Sequence, residues 1–180
     1  MSLPIDYGPL AGLAGTWRGD HGRDISPTSE GSKECLYFET LVFEECGEVT
    51  NAGTQTLAVL RYHQIVSRKS DREVFHNESG YLAWDAAEKL VVQSLAIPRG
   101  VSVVAVGNCS DPDSSTFEVR TNGPGGQIAQ TPFMQRTTRT LAFAHRISRT
   151  GDQLTYSQTT TLESQGRVFE HTDQNHLTRI

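Results

Sequence analysis

Clusters of turn-forming residues punctuate this chain at short, even intervals, and the stretches between them lack a helical period, which leaves few folds open. Ten stretches rich in β-branched and aromatic side chains read as strands: 15–20, 34–45, 54–67, 73–84, 89–97, 101–107, 116–121, 138–148, 154–163 and 167–180. The separators are specific, among them Pro98-Arg99-Gly100, Asp111-Pro112-Asp113-Ser114, Asn122-Gly123-Pro124-Gly125-Gly126, Thr150-Gly151 and Gln165-Gly166. Strands this close in sequence pair as an antiparallel up-and-down meander, and closing the meander into a barrel removes the edges an open sheet would expose. The expectation is an all-β, roughly ten-stranded antiparallel barrel, one domain over residues 1–180, with a short helical turn at 7–13 plugging one end.

A chain of 180 residues with 36% hydrophobic and 21% charged content has enough apolar material for one sizeable core. Its formal charge of -5 and its lack of a Lys/Arg run argue against nucleic acid or an anionic membrane as partner, since phosphate binding needs concentrated positive charge. No apolar run approaches the roughly 20 residues of a membrane span. Residues 1–12 lack the basic start and apolar middle of a signal peptide, so a cytoplasmic monomer or homodimer is expected. Cys35, Cys46 and Cys109 are an odd number without close pairing, read as reduced side chains, with a single disulfide as the alternative.

The C-terminal strand carries the chemistry. Phe169, His171, Asp173, Asn175 and Leu177 share one face and His176 lies on the other, so His171 is expected to point inward and His176 outward. If Thr150-Gly151 and Gln165-Gly166 are two-residue hairpin loops, Ile147 faces Leu154, His145 faces Tyr156 and then Asn175, Leu141 faces Thr160 and then His171, and Leu162 faces Phe169. Leu141, Phe143, His145 and Ile147 then share the interior face, giving two inward histidines. An inward histidine has two readings: a core side chain satisfied by neighbours such as Thr160 or Tyr156, or a ligand, since neutral imidazole is a common axial ligand of haem iron.

The segment containing Gly15, Trp17 and Gly19 resembles the Gly-x-Trp-x-Gly signature that opens fatty-acid-binding-protein-like barrels, in which the tryptophan closes the floor. Leu36 to Glu45, Leu60-Arg61-Tyr62-His63-Gln64, His76-Asn77-Glu78-Ser79-Gly80-Tyr81 and Ile97-Pro98-Arg99-Gly100-Val101 follow in the order of the nitrobindin family, and His76, Glu78 and Gly80 fall on its His-x-Glu-Ser-Gly-Tyr segment. The resemblance implies a barrel carrying haem b, with His171 bound to the iron and Thr28 and His145 in the cofactor's surroundings. It also implies nitric oxide binding and isomerisation of peroxynitrite to nitrate. The chain departs from the pattern where His21 replaces the third glycine of the signature, and where residues 23–33 lengthen the passage to the second strand.

Two other classes compete. Inward Asp173 and Asn175 are poorly matched to a porphyrin, which favours a haem-free carrier of a fatty acid or other small hydrophobic ligand. Arg61, in parity with Leu57, Val59 and Ile65, or Arg136 would then hold a carboxylate, unless it is simply exposed. A metal-dependent enzyme would draw on His145, His171 and Asp173, with His63 or His76, though no short-spaced histidine motif is present.

Overall fold

The structure, a computed structural model, describes residues 4–28 and 31–180. A 3-10 turn, Gly8–Leu10, precedes strands β1 (Gly15–Thr28), β2 (Gly31–Ala52), β3 (Gln55–Arg68), β4 (Val74–Asp85), β5 (Leu90–Ile97), β6 (Val101–Asn108), β7 (Thr116–Arg120) and β8 (Gln127–Gln130). A six-residue helix α1 (Pro132–Thr137), β9 (Thr138–Thr150), β10 (Gln153–Ser164) and β11 (Arg167–Arg179) follow. Every pairing is antiparallel. Ten strands close the barrel in the order β1 to β7, then β9, β10, β11 and back to β1. β6 meets β7 only at Val106 and Arg120, and the short β8 takes up Val101 to Val104 of β6. Among the described residues no helix is long and apolar enough to cross a membrane.

Alternation along the strands fills the interior in layers. The floor is apolar: Leu10 and Leu13 from the N-terminal turn pack with Trp17, Trp84, Leu154 and Leu177, all fully or almost fully buried. Trp17 Nε1 donates to the Leu13 carbonyl at 2.7 Å, so the plug and the first strand are tied by the one polar atom of the indole. Above the floor lies a belt of buried polar side chains, and above the belt a cavity opens toward α1 and the β5–β6 turn.

The β10–β11 register is as expected, with Leu154 opposite Leu177, Tyr156 opposite Asn175, Thr160 opposite His171 and Leu162 opposite Phe169. The β9–β10 register is shifted by two residues: Ile147 faces Tyr156 and His145 faces Gln158, because the loop is Gly151-Asp152 and Thr150 is still paired. Gly151, at φ +57°, supplies the positive dihedral that the first position of such a loop requires. An even shift preserves parity, so His145 and His171 both stay inside. Leu141 does not: an irregularity between Thr161 and Leu162 makes it the extra residue, exposed, and turns Thr140 inward instead.

Residues 23–28 and 31–33, which lengthen the passage to the second strand, are themselves strand. β1 and β2 continue as a paired hairpin to Thr28 and Gly31, with Ser29 and Glu30 outside the described residues. One extra residue at Asp20-His21 forms a β-bulge, which leaves His21 exposed and brings Gly22 to the interior. A Cβ at Gly22 would lie 2.0 Å from the Tyr37 ring, so only glycine admits that tyrosine.

Candidate functional site

The buried belt consists of two hydrogen-bonded groups. In the first, the buried Glu39 carboxylate accepts from Gln64 Nε2 at 2.7 Å, Asn175 Nδ2 at 2.7 Å and the Tyr156 hydroxyl at 2.8 Å, and the Tyr37 and Tyr156 hydroxyls meet at 2.7 Å. Burial raises the Glu39 pKa against the pull of those three donors. In the second, Tyr62 donates to Glu78 at 2.6 Å, Gln93 Nε2 donates to Tyr62 at 2.7 Å, and His145 Nδ1 lies 3.0 Å from Gln93 Oε1. An amide oxygen only accepts, so Nδ1 carries the proton and Nε2 is left with a buried, unpartnered lone pair. Burial holds the His145 pKa down at about 4. The ring stands edge-on to Tyr156 and Phe143, both of which line the cavity, but His145 itself does not.

The cavity has a volume of about 620 Å³. One side is apolar, with Val66, Leu95, Ile97, Val101, Val103 and Phe143, and Met134 and Phe133 of α1 bear on it from above. The other side is formed by β1 and β11. Asp24 lies directly across the ladder from Asp173, an unfavourable pairing of like charges on an interior face. His171, two residues from Asp173, resolves it: Nε2 is hydrogen-bonded to Asp24 Oδ1 and lies 3.7 Å from Asp173 Oδ2. A carboxylate offers only lone pairs, so Nε2 is the donor. Burial works against the imidazolium, but the Asp24 bond and the two negative charges prevail and raise the His171 pKa. Asp173 is pushed up to about 6, by burial first, against the pull of His171 and with the help of Asp24. On β4, His76 Nε2 lies 3.5 Å from Glu78 Oε2; burial lowers its pKa less than Glu78 and the other acids raise it.

The expected residues are distributed as follows. His171 lines the cavity, half-buried, with 29% of its side chain exposed. His76 and Glu78 line it too. Gly80 admits the Tyr62 ring, since a Cβ there would come within 2.8 Å of it. Gly15 opens β1, Trp17 seals the floor, and Gly19 keeps clear of the His176 carbonyl and Asn175. Thr28 ends β1 opposite Gly31 and is not among the cavity-lining residues. Arg61 is exposed and paired with Glu44 at 3.0 Å, Arg136 is exposed on α1, and the only Lys or Arg among the lining residues is Arg99 at the mouth. His63 is exposed and bonded to Asn77. The three cysteines are free.

Asp24 is the residue that strand reading missed. Asp24, His171 and Asp173 bring ligand-type atoms within 4.8 Å of one another, the one such group of three among the described residues. The first strand read as ending at residue 20, and a bulge leaves no periodic mark to show that residue 24 returns to the interior.

The architecture defines a class: a closed antiparallel barrel with a sealed floor and a ligand-sized lumen open at one end. Residues 6–179 match the family model described as the THAP4-like, heme-binding β-barrel domain, and the chain belongs to that family. The crystal structure of Rv2717c from M. tuberculosis superposes with a TM-score of 0.73 at 24% identity, covering 99% of each chain, a likeness of fold. No curated protein matches the chain.

Haem in such a lumen needs volume, apolar walls and an imidazole nitrogen with a free lone pair. The first two are present. The third is not, because His145 does not line the cavity and Nε2 of His171, which does, is bound to the carboxylate of Asp24, a residue only 4% exposed. As arranged, the donor set does not fit the iron.

Proposed function

We propose that this barrel binds a small, mostly apolar organic molecule that carries an amino or other hydrogen-bond-donating group, and that it does so without haem. The observation that carries this reading is the two-sided lumen of about 620 Å³, apolar on β3, β5, β6 and β9 and acidic at Asp24, Asp173 and Glu78. An apolar body gains from leaving water, at roughly 25 cal/mol per Å² buried. A donor head group finds carboxylates to accept from it, whereas a fatty-acid carboxylate would meet three acidic side chains, with the only lining arginine, Arg99, away at the mouth.

Thermal melts with decylamine and decanoate at pH 7.5 test the assignment. At a hundredfold excess over its Kd a ligand adds about 2.7 kcal/mol of stability, a rise in Tm of several degrees for a chain of this size. Decylamine is expected to raise Tm and decanoate to leave it unchanged. A rise with decanoate, or none with either, contradicts the reading.

The second reading is haem b, with the nitric oxide binding and peroxynitrite isomerisation that the family resemblance implies. The family match and an inward His171 on the cavity wall favour it. It requires that the Asp24–His171 bond be broken first.

A further inference from the structure

We propose that Asp24 is the residue that excludes haem from this barrel, and that a haem-iron site lies latent beneath it. The inference rests on the haem-free reading above. Along β1 the inward positions are Trp17 at the floor, then Gly19 and Gly22, then Asp24. The two glycines project nothing into the lumen, so Asp24 is the first β1 side chain above Trp17 to enter it. There it is hydrogen-bonded to Nε2 of the cavity-lining His171, the nitrogen whose lone pair an iron would need.

Asp24 has few other obligations. Among the described residues its only side-chain hydrogen bond is the one to His171, so removing the carboxylate orphans no further donor. It is buried between β2 and β11, opposite Cys35 on one ladder and Asp173 on the other. A metal competing for Nε2 must displace both the proton and the carboxylate. Hydrogen bonds to charged groups carry enough free energy that this handicap amounts to about ten- to a hundredfold in affinity. Asp173, 3.7 Å away, is a weaker obstacle.

The test is a hemin titration at pH 7.5, read by the Soret band, on the wild type, His171→Ala, Asp24→Gly, Asp24→Ser, and Asp24→Gly combined with His171→Ala. Both single variants are expected to bind hemin about ten- to a hundredfold more tightly than the wild type. The double variant is expected to lose that gain. Wild-type binding that His171→Ala abolishes overturns the haem-free reading itself. Folded Asp24 variants that bind no better than the wild type overturn this inference and leave that reading standing. Should neither variant keep its β-sheet circular dichroism, long-range proton–nitrogen NMR of the wild type decides. A protonated, hydrogen-bonded Nε2 on His171 supports the inference and an unprotonated one overturns it.

Discussion

His145 and His171 occupy the interior faces of the two strands that flank β10, yet their surroundings drive them in opposite directions. His145 has no acceptor beyond the Gln93 amide and a pKa near 4; His171 has two carboxylates and a raised pKa. Because folded His145 refuses a proton that the unfolded chain accepts near pH 6.5, it contributes stability above that pH. The contribution is lost as pH falls toward 4 and amounts to about 3 kcal/mol. Asp173 has the opposite slope: its folded pKa of about 6 favours folding in acid, and that contribution declines as pH rises from about 4 to 6. Urea denaturation of His145→Gln and wild type at pH 7 and pH 4 separates the two. The variant is expected to gain about 3 kcal/mol relative to the wild type on acidification, and parallel profiles would contradict the assignment. Parity alone revealed that both imidazoles face inward. It could not distinguish them, because Asp24 arrives from a strand whose continuation is not legible.

At the scale of elements, the β1 bulge decides what enters the lumen. With the same sequence and no bulge, strict alternation would turn His21 inward against Tyr37 and send Asp24 to the outside. Deleting His21 removes the bulge and keeps Trp17, Gly19, Gly22 and Asp24 on the inner face. The deletion is therefore expected to cost no more than about 1 kcal/mol by urea denaturation and to leave the tryptophan fluorescence of the folded state, from Trp17 and Trp84, unchanged. Loss of cooperative unfolding would show that the bulge is structurally required. Hairpin loops were legible where glycine dictates the turn, as at Gln165-Gly166, with φ of +52° and +72°. Helix α1 carries its own signal, Thr131 capping Met134 and Pro132 at the first helical position, but six residues are too few for a periodic pattern to show.

At the scale of the whole molecule, the closed barrel follows from strand count and short turns, both of which can be read along the chain. The layering cannot, because it arises from side chains that strands far apart in sequence bring together. Glu39 is satisfied by residues 64, 156 and 175, and such a buried network becomes visible only when the barrel closes. That belt fills the lower lumen and confines any ligand to the upper part, beside Asp24, His171 and Asp173. Native mass spectrometry with visible absorption on protein purified from haem-replete cells measures the outcome directly. The account predicts protein free of haem and without a Soret band, while a one-to-one haem complex that survives gel filtration would contradict it.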